Sequence, residues 1–367
     1  MIKKASILVG VVSVLLFFAG CASVEREHVK FTPPVFPPPP EKPRFIWERM
    51  FVSSADVKEQ TAMDKFKHFA TGTRSTAEGL TKPWGVAVYQ GRIYVTDTVG
   101  RFVVMFDVPG RDFKIIGNEG GPGQLTKPIA ITTSKTDGTL YVSDITAKRV
   151  IVYDKDGNFL RAIGGMQVFD RPTGVAVSPD GLTLWVVDNG GVDSQDHHLY
   201  KFDAISGKLL QTIGTRGREP GEFNLPLEVT TAPDGTVYVV DGGNFRVEAF
   251  NPDGSFKLTF GAIGRKSGQF SRPKGIATDP EGNIYVVDSS FGNFQIFDPT
   301  GELLLYIGEH SFKGFPANYV LPAGIAVDED GRVYVVDQYY RRIDVYRPAD
   351  LPIDKGYLSS VITAKAK

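Results

Sequence analysis

From residue 83 onward the chain alternates short apolar bursts with polar breaks rich in Gly, Pro, Asp and Asn. The bursts favour Val, Ile, Tyr and Phe, side chains that suit a pleated, half-buried strand. Four kinds of burst recur in a fixed order. The first opens on proline: PWGVAV at Pro83, PIAITT at Pro128, PTGVAV at Pro172, PLEVTT at Pro226, PKGIAT at Pro273 and PAGIAV at Pro322. The second closes on aspartate: YVTD at Asp97, YVSD at Asp144, WVVD at Asp188, and YVVD at Asp241, Asp288 and Asp337. A third follows as VVMFD, VIVYD, LYKFD, VEAFN, FQIFD and IDVYR, and a fourth as FLRAIG, LLQTIG, FKLTFG and LLLYIG. DG pairs such as 156–157, 234–235 and 253–254 mark the hairpins between them.

The closing aspartates recur at intervals of 47, 44, 53, 47 and 49 residues. Four antiparallel strands in each of six such units predict an all-β, six-bladed β-propeller, with the aspartate-ending strand second in each blade and wedged between its neighbours. Each aspartate is expected to accept backbone N–H groups at the turn into the third strand. The sixth unit lacks a fourth strand after RIDVYRP, while PRFIWERMF stands unpaired ahead of the first unit. A ring leaves no raw edge at its seam if residues 44–51 pair with 342–347 and complete the last blade. The propeller then covers 44–348, with 52–80 as a connecting segment and 349–367 as a tail. In that segment Met63, Phe66 and Phe69 or Ala70 share a helical face, which predicts a short capping helix.

Composition narrows the class of function. A net charge of −1 over 367 residues is not that of a dedicated nucleic-acid binder. The single cysteine, Cys21, rules out an intrachain disulfide and any Cys-rich zinc or haem site. Two lysines, an apolar run from Ile7 to Ala19 and small residues before Cys21 form a secretory leader, residues 1–20, too short to span a membrane comfortably. Phe18-Ala19-Gly20-Cys21 resembles a bacterial lipobox, which implies lipid attachment at Cys21; an ordinary leader with an incidental cysteine is the alternative. Residues 21–43, ending in PPVFPPPPEKP, read as an extended polyproline stalk.

The set P-x-G-[VI]-A, YVxD, RVxVFD and G-x-F-L-x-x-I-G resembles the NHL repeat over residues 44–348. With the leader and stalk, the whole chain resembles the six-bladed NHL-repeat lipoproteins of Gram-negative bacteria. That resemblance, with Ala22 after the cysteine, implies an outer-membrane lipoprotein facing the periplasm, partnered by the membrane and by an envelope protein, and a single ring needs no second copy.

Chemistry is expected on the face built from the blade-to-blade loops. Basic and aromatic residues gather there, Arg149, Arg246, Arg342 and Tyr340 among them, either as a ligand rim or as bonds between blades. The position two after each proline is small in five blades and is Glu228 in the fourth. Near the mouth of the central channel its carboxylate would face a ligand or cation, or pair with Arg216 or Arg218. Blade 3 carries an insertion with Asp193, Asp196, His197 and His198, which reads as a weak metal cluster or a solvated loop. The sequence shows no haem, nucleotide or iron–sulfur signal; a calcium or zinc ion in the channel stays open. A binding or scaffold module engaging a protein or small ligand is the leading reading, and a metal-dependent lyase or hydrolase at the channel mouth the alternative. The amidating lyases share such a ring but hold zinc with histidines from several blades, and only five histidines exist here. Ubiquitin-ligase and RNA-regulator roles of other NHL proteins do not carry over, since this chain has no RING cysteines.

Overall fold

In the structure, a computed structural model that describes residues 31–58 and 77–359, six blade sheets succeed one another along the chain, with a small two-stranded parallel sheet, Glu309–His310 with Asn318–Tyr319, ahead of the last. Five have four strands in the order of the sequence; the first runs Pro83–Tyr89, Arg92–Asp97, Phe102–Asp107 and Asp112–Ile116. The inner strand of each blade is the proline-opening segment, and the second is the aspartate-closing segment. Six apolar clusters fill the ring, and each draws on two neighbouring blades: Ile131, Val142 and Ile151 of blade 2, for example, pack with Tyr94 and Met105 of blade 1. No blade therefore has a core of its own. Buried apolar area contributes about 25 cal/mol per Å², and here that contribution is made at blade boundaries.

The seam lies inside blade 6. Phe45–Phe51 pairs antiparallel with Arg342–Pro348, in register Phe45 to Pro348 and Phe51 to Ile343. A buried ion cluster fastens it. Glu48 receives the Arg332 Nε at 2.8 Å and an Arg49 Nη at 3.3 Å, with the Arg347 Nε at 4.0 Å. Burial of Glu48 and Arg332 is nearly complete, so each ion depends on the other for compensation.

Two boundaries differ from the sequence reading. The stalk was expected to reach residue 43, but the compact unit starts at Pro34. Val35–Phe36 pairs with Phe45–Ile46 as a fifth, outermost strand of blade 6, and the Phe36 ring meets Tyr346 edge-on at 5.8 Å. Prolines are tolerated there because an outer edge asks for no further N–H donors. At the other end, residues 349–359 are not a loose tail. Leu358 is buried in the cluster between blades 6 and 1, and the Lys355 carbonyl accepts from Arg332 Nη2 at 2.8 Å. Of the connecting segment, a 3-10 turn at Ser54–Asp56 is seen; the helix expected around Met63 and Phe66 lies outside the described residues, as do the leader and Cys21.

Candidate functional site

The aspartates come first because they build the face on which a site would stand. Asp288 accepts from the N–H of Ser271 and Arg272 at 2.7 and 2.9 Å, and from Ser290 and Phe291 at 2.9 and 3.1 Å. One carboxylate thus ties the loop entering the blade to the turn between its second and third strands. Asp97, Asp144 and Asp337 repeat the pattern with four N–H donors each. Asp188 takes three. Asp241 departs: it holds the Asn224 N–H at 2.6 Å, the Asn244 amide at 2.6 Å and Arg246 Nε at 3.0 Å. The sequence reading anticipated the turn; the grip on the entering loop is new.

Above the aspartates, the arginines bind carbonyls. Arg246 donates to the carbonyls of Arg218, Glu219 and Glu222 at 2.8, 3.1 and 2.8 Å. Arg342 donates to those of Gly314, Phe315 and Asn318 at 2.8, 3.0 and 2.9 Å, and Arg149 to that of Gln124 at 3.4 Å. These contacts stitch each blade to the loop leading into it, so the guanidiniums hold loops in place. Tyr340 lies under Arg342, 4.8 Å from ring centroid to guanidinium carbon, and donates to the Ser311 carbonyl at 3.2 Å.

In the blade-3 insertion the four candidate ligands do not converge. His197 is buried, with Nδ1 at 3.2 Å from the Phe223 carbonyl and Nε2 at 3.2 Å from the Gly191 carbonyl. His198 turns its Nδ1 to the Gly214 carbonyl at 2.8 Å, while Asp196 lies 3.5 Å from its Nε2 and Asp193 is exposed. Among the described residues no three His, Cys, Asp or Glu side chains group as metal ligands.

The inner strands converge on the axis at the position two after each proline. A Cβ on Gly275 would come within 2.4 Å of the Ala323 carbonyl oxygen, and one on Gly324 within 2.4 Å of that of Trp84. Close backbone approach explains the small residues there. Glu228 breaks the series and reaches into the channel. Its Oε1 accepts from Val175 and Val229 N–H at 3.2 Å each, and among the described residues no arginine pairs with it; Arg216 serves the carbonyls of Val192 and Ser194 instead. Glu228 keeps some surface on the channel, yet protein encloses it, and burial pushes its carboxyl up to about 8 against the pull of those two N–H groups. Its carboxylate divides the channel. Below lies a space of about 110 Å³ rich in threonines, with Lys135 at its end; above lies a vestibule of about 40 Å³ between Trp84, Thr173, Leu227 and Lys274.

Lys274 escaped the sequence reading. It stands one place after the proline, where the other blades carry Trp84, Ile129, Thr173, Leu227 and Ala323, so a lone cation in that series was the available signal. A second overlooked feature caps the loop-rich face at blade 6. His310, Phe312, Tyr339 and Tyr340 form a chain of edge-to-face rings with centroids 5.5, 5.7 and 5.1 Å apart. Phe312 and Tyr339 are 69% and 55% exposed, and Phe315, in the same loop as Phe312, is 64% exposed.

Comparison with known proteins agrees with this architecture. Residues 51–166 match the 6-bladed beta-propeller family and residues 270–297 match the NHL repeat. The chain is thus a six-bladed β-propeller carrying NHL repeat sequence. Over 95 residues it is 30% identical to a probable peptidyl-alpha-hydroxyglycine alpha-amidating lyase of Caenorhabditis elegans, 25% of this chain and 25% of that one. Over 101 residues it is 32% identical to tripartite motif-containing protein 3 of Mus musculus, 24% of this chain and 14% of the other. The chain therefore spans a quarter or less of the length of these curated relatives. Among solved structures, a Bacteroides thetaiotaomicron protein of unknown function superposes with a TM-score of 0.60 at 17% identity, covering 81% of this chain and 75% of that one, which shows the fold alone.

Proposed function

We propose that the protein is an envelope-anchored binding module that grips a folded protein partner with the aromatic cluster over blade 6. The observation that carries this is the cluster itself. Phe312 and Tyr339 stand in solvent in edge-to-face contact, and Phe315 is exposed three residues further along the Phe312 loop; exposed apolar side chains grouped in this way are the usual mark of an interaction surface. Arg342 holds the underlying loop at Gly314, Phe315 and Asn318, so the rings are presented on a fixed base, and rigid aromatic anchors cost little ordering on binding. The leader and Cys21 supply the anchor in this reading, with the ring on the periplasmic side of the outer membrane.

Two measurements test it. Chains carrying Phe312→Ser with Tyr339→Ser should lose at least tenfold in affinity for the partner recovered from gently solubilised envelopes and then purified, about 1.4 kcal/mol or more. Leu210→Ser, equally apolar and exposed on the outer strand of blade 3, should not. Equal binding by the wild type and the double variant would overturn the reading. Cys21→Ala should move the protein from the membrane fraction to the soluble periplasm; unchanged membrane retention would rule out the lipid.

A separate polar feature, the vestibule around Lys274, lies at the mouth of the channel.

A further inference from the structure

Lys274 is only 8% exposed, and its ammonium makes no hydrogen bond or ion pair among the described residues. Its Nζ lies 5.2 Å from the centroid of the Trp84 ring and borders the vestibule that Glu228 floors. A buried ammonium without an anionic partner is unfavourable unless something else compensates it, and cation–π contact with one indole restores only part of the loss. The open side of the vestibule adds more positive charge. The residue before the strand-opening proline is Lys82 in blade 1, Lys127 in blade 2, Arg171 in blade 3 and Arg272 in blade 5. All four are exposed, and none makes an ion pair among the described residues. Asp170, the acid in the neighbouring register, is already engaged by Lys148 at 3.0 Å. Besides Glu228, which shares the vestibule, the carboxylates that act on Lys274 are Asp337 and Asp288, whose oxygens accept backbone N–H donors.

We infer that the mouth of the channel on the loop-rich face binds a small oxyanion, with a carboxylate as the favoured group, held by Lys274 and guided in by Lys82, Lys127, Arg171 and Arg272. A cleft lined by one sign of charge and walled by low-dielectric protein concentrates ions of the opposite sign. The vestibule is the size of a carboxylate group, and Ile129, Leu227 and Ala323 give it apolar walls. Glu228 completes the site. Its Oε2, free of protein partners among the described residues, offers a proton to a ligand oxygen while the carboxyl is neutral.

Two titrations make the site pH-dependent. Burial, aided by Arg272 and Lys82 and opposed by Asp337 and Asp288, brings the Lys274 ammonium down to about 8. Burial lifts Glu228 to about 8. Below that pH the ammonium is charged and the carboxyl neutral, so both present donors. Above it the amine is neutral and the carboxylate repels an anion. Affinity for a carboxylate is therefore higher below pH 8 and falls as pH rises through it.

The channel mouth shares no residue with the aromatic cluster, so anion binding and partner capture can fail separately. The test titrates the full chain with acetate, succinate and inorganic phosphate at low salt, following Trp84 fluorescence and the heat of binding. A carboxylate is expected to saturate, to weaken at least tenfold between pH 6.5 and 9, and to weaken tenfold in Lys274→Met. Lys82→Gln with Arg272→Gln, surface changes that leave the fold untouched, should weaken it two- to fivefold and flatten its salt dependence. Saturation by phosphate alone, with the same Lys274 and pH dependence, would keep the oxyanion site and overturn the preference for carboxylates. Binding by neither anion, or binding indifferent to both sets of substitutions, would overturn the site.

Discussion

A single aspartate in each blade does the work of a clasp. The four N–H groups on Asp288 come from the loop entering the blade and from the turn after its second strand, and the carboxylate that gathers them is fully buried. Leaving a buried donor unpaired costs about 1–3 kcal/mol, so Asp288→Ala should destabilise the ring by at least about 3 kcal/mol in urea melts. A loss under about 1 kcal/mol would mean that water replaces the carboxylate without cost. At this scale the sequence was informative wherever the repeat set an expectation. Glu228 stood out because five blades carry Gly or Ala at its position, and the structure puts it in the channel. Lys274 stood in an equally regular series but one whose members vary in size and polarity, so the outlier was masked. The arginines were visible as a rim, but the carbonyls that bind them belong to loops without pattern, and no spacing rule locates a carbonyl.

At the scale of elements, the closing strand was legible because a count failed to balance: one blade short of a strand, one strand short of a blade. The proline-rich hairpin was not, since proline content signals an extended chain equally well when that chain lies against an edge. Phe36 decides between the two, and its aromatic contact with Tyr346 depends on tertiary structure. The seam also makes a sharp prediction. Replacing Glu48 with Ala strands the Arg332 guanidinium, fully buried, with Asp330 at 3.1 Å as its remaining carboxylate. Breaking a buried pair in this way typically costs about 3–5 kcal/mol. Thermal melts of Glu48→Ala should show that loss, and Glu48→Gln, which keeps the shape and some hydrogen bonding, should recover part of it. Equal stability of wild type and Glu48→Ala would show that the seam does not rely on this cluster.

For the molecule as a whole, the absence of a private core in any blade couples all six. Amides in the second strands, such as Val95, Val142, Val186, Val239, Val286 and Val335, should exchange with solvent through one shared opening, with similar protection in native-state hydrogen exchange. Six distinct free energies, one for each blade, would contradict that coupling. The fold was thus readable in advance because one short pattern is written six times, whereas the features proposed to bind partners and anions arise where the copies disagree.

The seam has a mechanical consequence. Consecutive blades are joined by chain, and among the described residues the ring is closed by non-covalent bonds inside blade 6, between Phe45–Phe51 and Arg342–Pro348. A pull on the N-terminal end meets the two-residue pairing of Val35–Phe36 first, and only after that hairpin gives way does load reach the closing strand. The short outer strand is therefore a fuse in the load path: it can yield while the ring behind it stays shut.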